Sequence, residues 1–308
     1  MCAHRQENPA LWSKVLYWCA YGRAITLENA LKGVFRQNVK FSLNTRRVRS
    51  NCEEKNMRQE IAKVMALRDV AEGIFELELH APGICGDMVL PGQFVQVSLN
   101  DESRILARPI SVRDVLGDDL ILTIQKKGEG TRQLSRLNVG DDVKLTGCMG
   151  NGFDWDDDEG DYILVGGGIG MAPILFLRSR MRAHSRLLAG FRSAKYAFGT
   201  EDAIVATEDG SLGERGFITA ALEREINASR PDCVMCCGPT PMLKAVQAIC
   251  NRLGVRCQLS LEERMGCGLG ACLVCNCKIR EKDGDGWNYK RVCVDGPVFD
   301  ASEVEFDG

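Results

Sequence analysis

Four cysteines towards the end of the chain carry its most specific chemical signal. Cys267, Cys272 and Cys275 lie within Met265-Gly266-Cys267-Gly268-Leu269-Gly270-Ala271-Cys272-Leu273-Val274-Cys275, and Cys293 follows after seventeen intervening residues in Arg291-Val292-Cys293-Val294-Asp295-Gly296. The order C-x4-C-x2-C and then C is the plant-type spacing of thiolate ligands to a [2Fe–2S] cluster, in which one tight loop supplies three of the four. Small residues suit that loop, because Gly266, Gly268, Gly270 and Ala271 let the backbone curl around inorganic sulfide and turn N–H groups towards it. Two plainer assignments compete. A zinc site usually pairs C-x2-C knuckles, and of these four cysteines only Cys272 and Cys275 have that spacing. A disulfide framework calls for an oxidising compartment, for which the chain gives little sign. Cys277, two residues past the loop, falls by strand alternation as a packed thiol rather than a ligand.

A cluster of this kind carries one electron and breaks no bond, so the rest of the chain must supply the electron's source and destination. At 308 residues there is room for two ordinary domains and a small module. Fifteen cysteines in so long a chain fit reduced thiols of the cytoplasm better than a secreted scaffold. The longest mostly apolar run, Tyr162 to Leu177, contains four glycines and a proline and falls short of a membrane span. No secretory leader is expected either, since Lys14 interrupts the apolar stretch around Leu11 to Tyr21. No nucleic-acid partner is expected. With His4, His80 and His184 as the whole complement, histidine chemistry is an unpromising centre.

Residues 1–56 differ from the remainder in charge, with ten Lys/Arg against four Asp/Glu, where residues 57–308 hold 29 against 38. The segment reads as an N-terminal extension, either a disordered tail or an amphipathic helix over Ala10 to Phe35. A further expectation is that it is largely non-native translation, because Glu53-Glu54-Lys55 requires purine-rich codons just ahead of Met57, as a ribosome-binding site would.

Residues 57–155 change to short alternating strands over Glu60 to Asp69, Ile74 to Leu79, Gln93 to Leu99, Leu120 to Gln125 and Asp142 to Thr146, with turn clusters between them. That rhythm predicts an antiparallel barrel. Ala107-Arg108-Pro109-Ile110-Ser111 is expected as a loop able to bind a phosphate and a ring nitrogen, and Gly128-Glu129-Gly130-Thr131 as a glycine turn opening a helix, a second anion-friendly feature. Asp154 to Asp161 reads as an acidic linker.

Residues 156–258 alternate strand and helix. Tyr162 to Val165 runs into Gly166-Gly167-Gly168-Ile169-Gly170 and then a helix, followed by strands at Leu187 to Phe191, Ala203 to Thr207 and Cys233 to Cys237 and helices at Phe217 to Asn227 and Pro241 to Leu253. This predicts a parallel sheet covered by helices on both faces. The glycine turn departs from G-x-G-x-x-G, and both a pyrophosphate cradle and a tight packing turn remain open for it. Cys233 and Cys236 read as small buried residues. Cys237-Gly238 falls at the carboxyl end of its strand, where open α/β sheets bind ligands. The fold class is thus α+β and multidomain: a barrel, an α/β nucleotide domain, and a C-terminal cysteine module over residues 259–308.

The barrel motifs Arg108-Pro109-Ile110-Ser111 and Gly128-Glu129-Gly130-Thr131, the turn Gly166-Gly167-Gly168-Ile169-Gly170, the triplet Cys237-Gly238-Pro239 and the cysteine module together resemble the ferredoxin-reductase superfamily. Within it, Ser260 to Gly268 and Val292 to Phe299 resemble the electron-transfer subunits of NAD-linked (type B) dihydroorotate dehydrogenase, a likeness covering about residues 57–308. The resemblance implies FAD on the barrel, with Arg108, Pro109, Ile110 and Ser111 as the first flavin segment, Thr123, Ile124 and Gln125 as the second, and Gly130 and Thr131 at the pyrophosphate. Ile110 stands where the wider superfamily commonly has an aromatic. It implies NAD across Gly166, Gly167, Gly168, Ile169, Gly170, Cys237 and Gly238, with Cys237 near the nicotinamide, and a [2Fe–2S] cluster on Cys267, Cys272, Cys275 and Cys293. Arg192 and Lys195 are open to two uses, a 2′-phosphate contact or surface charge. The implied activity passes electrons from FMN of a separate catalytic subunit through cluster and FAD to NAD+, in pyrimidine (orotate and UMP) biosynthesis, within a heterotetramer of two copies of each subunit. Two other assignments compete: a flavin/[2Fe–2S] reductase subunit serving sulfide, sulfite, ferredoxin or hydrogenase chemistry, and a cluster-binding redox sensor without catalysis.

Overall fold

The computed structural model describes residues 16–18, 24–26, 58–87, 89–98, 106–157, 159–281 and 286–306. Most of the N-terminal extension, together with Met57 and Leu99, lies outside the described residues. The chain divides into two units, residues 1–45 and 46–308. In the first, β1 (Leu16–Trp18) and β2 (Ala24–Thr26) pair antiparallel.

In the second unit six strands close a barrel: β3 (Arg58–Ala71), β4 (Ile74–His80), β5 (Phe94–Ser98), β6 (Arg108–Leu116), β7 (Asp119–Gln125) and β8 (Asp142–Met149), in the order β3-β4-β7-β6-β5-β8. Alternation explains the closure, since Leu77, Leu79, Val95, Val97, Leu120, Leu122, Val143 and Leu145 turn inward to one core. Two short helices cap connections, α1 (Pro82–Cys85) and α2 (Glu129–Leu134). The expected loop at Ala107 to Ser111 is instead mostly the start of β6. Pro109 is accommodated opposite Gln96, and a register shift between Val112 and Asp114 absorbs the polar Arg113.

The second layer is a seven-stranded sheet ordered β12-β11-β10-β9-β13-β14-β17. Its strands are β9 (Asp161–Gly167), β10 (His184–Phe191), β11 (Ala203–Thr207), β12 (Glu214–Arg215), β13 (Cys233–Cys237), β14 (Arg256–Ser260) and β17 (Val298–Asp300). All pair in parallel except β17, which runs against β14. Three helices accompany it: α3 (Met171–Arg180), α4 (Ile218–Ala228) and α5 (Thr240–Leu253), the last closed by Gly254 in the left-handed conformation. The acidic stretch after the barrel is packed rather than loose. Phe153 and Trp155 are buried, Asp154 N–H donates to Gln258 Oε1 at 2.9 Å, and Arg256 pairs with Asp154 at 3.4 Å.

β15 (Asn276–Arg280), β16 (Trp287–Arg291) and β18 (Val304–Glu305) form a small antiparallel sheet in the cysteine module. The module does not stand alone, because β17 completes the large sheet. Asn151 ties it to the barrel exit, donating to the carbonyls of Asp295 (3.2 Å) and Val298 (2.9 Å) and accepting from Val298 N–H (3.0 Å).

Candidate functional site

The four cysteines sit in two loops that fold onto each other. Gly268 and Gly270 take φ of +69° and +82°, and Leu273 joins them at +58°, a conformation costing an L-residue about 1–2 kcal/mol. This winding turns backbone donors inward: Leu269 N–H and Cys272 N–H reach Cys267 Sγ at 3.3 and 3.4 Å, and Cys267 N–H reaches Cys272 Sγ at 3.4 Å. The Leu269 N–H foremost, against a smaller effect of burial, holds the Cys267 thiol down at about 6, so it is a ready thiolate. Cys293 is the opposite case. Burial and then the neighbouring Cys275 thiol push it up to about 12.

The thiols therefore lie as two pairs, Cys267 with Cys272 and Cys275 with Cys293. Among the described residues no three His, Cys, Asp or Glu side chains gather as a single-ion set. A two-iron cluster, which takes two protein thiolates at each iron, fits this arrangement and its inward N–H groups. The ligand loops are locked by Arg291, which donates to Asp295 Oδ2 (Nε, 3.0 Å) and to the Gly270 carbonyl (Nη1, 3.2 Å). Burial raises the Asp295 carboxyl, and the hydrogen bonds from Arg291 outweigh it, leaving the group below the usual carboxylate range. Cys277 lies outside the set, with Sγ 3.5 Å from the Lys290 carbonyl and burial pushing it up to about 12. Around the loops Leu273 and Val274 are both 56% exposed, and Leu269 and Val294 both 44%, an apolar rim at the module's surface.

On the barrel, the structure brings Arg108 onto Gly130: a Cβ built at residue 130 would stand 2.2 Å from Arg108 Nε and 2.4 Å from Cζ. A guanidinium beside the amide groups that open α2 is a cradle for an anion. Thr131 shapes it, since its Oγ1 accepts from Lys127 N–H (3.0 Å) and Gly128 N–H (3.1 Å) and donates to the Gly128 carbonyl (2.9 Å). Pro109, Ile110 and Ser111 follow along β6, all half-buried. On β7, Thr123 is buried with Oγ1 3.4 Å from Glu76 Oε1, and Gln125 is exposed. The Ile124 side chain goes into the barrel core, so any ligand contact there uses its backbone.

In the large sheet the strand order reverses between β9 and β13, and the crevice beyond their carboxyl ends is where such sheets bind ligands. Gly166–Gly170 and Cys237-Gly238 meet there. Cβ atoms at Gly166, Gly167 and Gly170 would stand 2.2 Å from Met171 Sδ, 2.4 Å from Met242 Sδ and 2.4 Å from the Cys237 carbonyl oxygen. Gly168, at φ +54°, is the member with open space beside it, and Ile169 packs partly against the neighbouring core. Burial pushes the Cys237 thiol up to about 12 against a hydrogen bond with Ser260, so it is a neutral thiol. Lys195 is engaged with Glu72 at 3.0 Å, and Arg192 is exposed.

One functional candidate escaped sequence reasoning. Gln96, a buried amide on β5, points at the cysteine loop, and nothing local in Phe94-Val95-Gln96-Val97-Ser98 marks it apart from an outward polar residue.

Residues 262–305 match a family model described as the iron-sulfur cluster binding domain of dihydroorotate dehydrogenase B. The electron transfer subunit of dihydroorotate dehydrogenase B (NAD(+)) from Caldanaerobacter subterraneus subsp. tengcongensis is 40% identical over 250 residues, 80% of this chain and 98% of that protein. The subunit of the same name from Clostridium perfringens is 36% identical over 254 residues, 79% of this chain and 97% of that one. Among solved structures, an NADH-dependent reduced ferredoxin-NADP oxidoreductase studied for flavin-based electron bifurcation superposes with a TM-score of 0.70 at 26% identity, covering 80% of this chain and 90% of that one. A ferredoxin NADP+ reductase from Neisseria gonorrhoeae with bound FAD and NADP shares the fold, with a TM-score of 0.51 at 16% identity over 64% of this chain and 92% of that one.

Proposed function

The chain belongs to the family of electron-transfer subunits of NAD-linked dihydroorotate dehydrogenase B, and from that premise we propose how its residues divide the work. The protein is an oxidoreductase subunit that carries electrons from a catalytic partner oxidising dihydroorotate to NAD+, in pyrimidine biosynthesis. When bound, FAD exchanges a hydride with the nicotinamide and single electrons with the [2Fe–2S] cluster, which is why both belong on one chain.

Cys267, Cys272, Cys275 and Cys293 hold the cluster, with Leu269 and Cys272 N–H groups stabilising anionic sulfur and Arg291 clamping the two loops. Arg108, over Gly130, takes the FAD pyrophosphate, Thr131 shapes the turn that presents it, and Pro109, Ile110 and Ser111 with Thr123, Ile124 and Gln125 line the flavin's strands. NAD lies over Gly166, Gly167, Gly168, Ile169 and Gly170 with Cys237 and Gly238 beside it, and the neutral Cys237 thiol contributes shape rather than a nucleophile. The working domains are residues 57–155, 156–258 and 259–308, with residues 1–56 outside the electron-transfer unit. The complex contains two copies of each subunit and works in the cytoplasm. No helix among the described residues is long and apolar enough to cross a membrane. The apolar rim of Leu269, Leu273, Val274 and Val294 supports the cluster face as the side that meets the partner.

The observation that carries this function is the seating of the two-pair cysteine module on the barrel, where Phe94 and Met149 share one core with Cys275 and Cys293. That shared core supports a one-electron site set beside the flavin-type domain. The test is anaerobic purification with the catalytic subunit. The complex reduces NAD+ with dihydroorotate and this chain alone does not; an intact, cofactor-loaded complex inactive with dihydroorotate would refute the assignment.

A further inference from the structure

Gln96 is 2% exposed, and neither its carboxamide nitrogen nor its oxygen has a hydrogen-bond partner. Leaving such a group unsatisfied costs about 1–3 kcal/mol. A buried amide is therefore retained where a partner is supplied, and its surroundings identify that partner. On β5 its neighbours Val95 and Val97 turn into the barrel, whereas Phe94, two residues away on Gln96's own face, belongs to the core that also holds Cys275 and Cys293. The carboxamide reaches the cysteine loop itself. A Cβ built on Gly268 would stand 2.1 Å from Gln96 Nε2 and 3.0 Å from Cδ, so only a glycine beside Cys267 leaves room for it. Across the sheet Gln96 faces Pro109, within the Arg108–Ser111 segment assigned to the flavin. It thus occupies the seam between the two redox domains.

Building on the [2Fe–2S] assignment above, we propose that Gln96 is a positioning residue for electron exchange, donating its amide N–H towards sulfur held in the Cys267 loop. A donor to sulfur favours the more electron-rich, reduced cluster and so raises its reduction potential. The same bond fixes the loop against the barrel and keeps the distance to the flavin constant.

The test uses the complete complex with two substitutions, Gln96→Leu, which removes both ends of the amide at similar volume, and Gln96→Glu, which puts negative charge there. Iron and FAD per chain and the EPR signal of the reduced wild type are read first. Absence of a cluster in the wild type sinks the functional assignment and this proposal with it, whereas a loaded wild type isolates the proposal. Redox titration followed by EPR then gives the cluster midpoint, and visible absorbance gives that of FAD. The expected result is a lower cluster midpoint in Gln96→Leu, lower again in Gln96→Glu, with FAD's unchanged and kcat reduced severalfold at constant KM for NAD+. An unchanged cluster midpoint in a loaded variant overturns the proposal, as does movement of the flavin midpoint instead. If Gln96→Leu does not accumulate, Gln96→Glu decides alone. Failure of both to fold assigns Gln96 a structural role and also overturns it.

Discussion

Glycine is dense in both the turn at Gly166–Gly170 and the loop at Gly266–Gly270, yet the two segments use it for different physical ends. In the turn, Gly166, Gly167 and Gly170 make room for Met171, Met242 and the Cys237 carbonyl, so the strand-to-helix connections of β9 and β13 can touch. In the cysteine loop, Gly268 and Gly270 adopt left-handed backbone that aims N–H groups at sulfur. One use is steric and the other conformational and electrostatic. Their thiols differ in the same sense: burial pushes Cys237 up to about 12, while backbone donors hold Cys267 at about 6. A glycine-rich sequence alone therefore does not say whether a ligand or a neighbouring loop fills the space.

The sharpest way to break this contrast is Gly170→Val, whose Cβ meets backbone at 2.4 Å that cannot rotate away. We expect a loss of about 3 kcal/mol or more, read as a fall in Tm of roughly 6–12 °C; an unchanged Tm would show that the turn is not packed as described. Gly268→Ala sets the left-handed cost of about 1–2 kcal/mol against a flexible neighbour, the Gln96 amide. The fold should survive with a Tm lower by a few degrees and less iron per chain; full iron at wild-type stability would remove the conformational argument. Gly168→Ala meets nothing within 4 Å, so its positive φ is the whole penalty, about 1–2 kcal/mol. FAD and iron content should hold while KM for NAD+ rises a few-fold, and an unchanged KM would make the turn purely structural. The thiol contrast is read by alkylation of cluster-free protein at pH 8. Cys267 ionises above about 6 and is modified first, whereas Cys237, protonated until about 12, is spared.

The legible parts of the sequence were those whose signal is local. Cysteine spacing and loop glycines pointed to the cluster, alternation of apolar residues to the barrel, and strand-glycine-helix order to the parallel sheet. Where the structure departs, a distant contact decides. β6 was hidden because Arg108, Pro109, Arg113 and Asp114 interrupt alternation, and their pairing lies across β5 and β7. The acidic run after Gly152 resembles a linker until Phe153 and Trp155 are seen buried. β17 belongs to the cysteine module in sequence and to the large sheet in space. Gln96 was invisible for the same reason, since the loop that covers it arrives more than 170 residues later.

Cys293→Ala in the complete complex asks whether the four thiols form the obligatory one-electron link between the partner's chemistry and the flavin barrel. We expect dihydroorotate-dependent NAD+ reduction to be lost with the cluster, while FAD content and NADH-driven reduction of ferricyanide remain. Dihydroorotate-dependent NAD+ reduction at the wild-type rate, in a variant shown by iron analysis and EPR to lack the cluster, would contradict it.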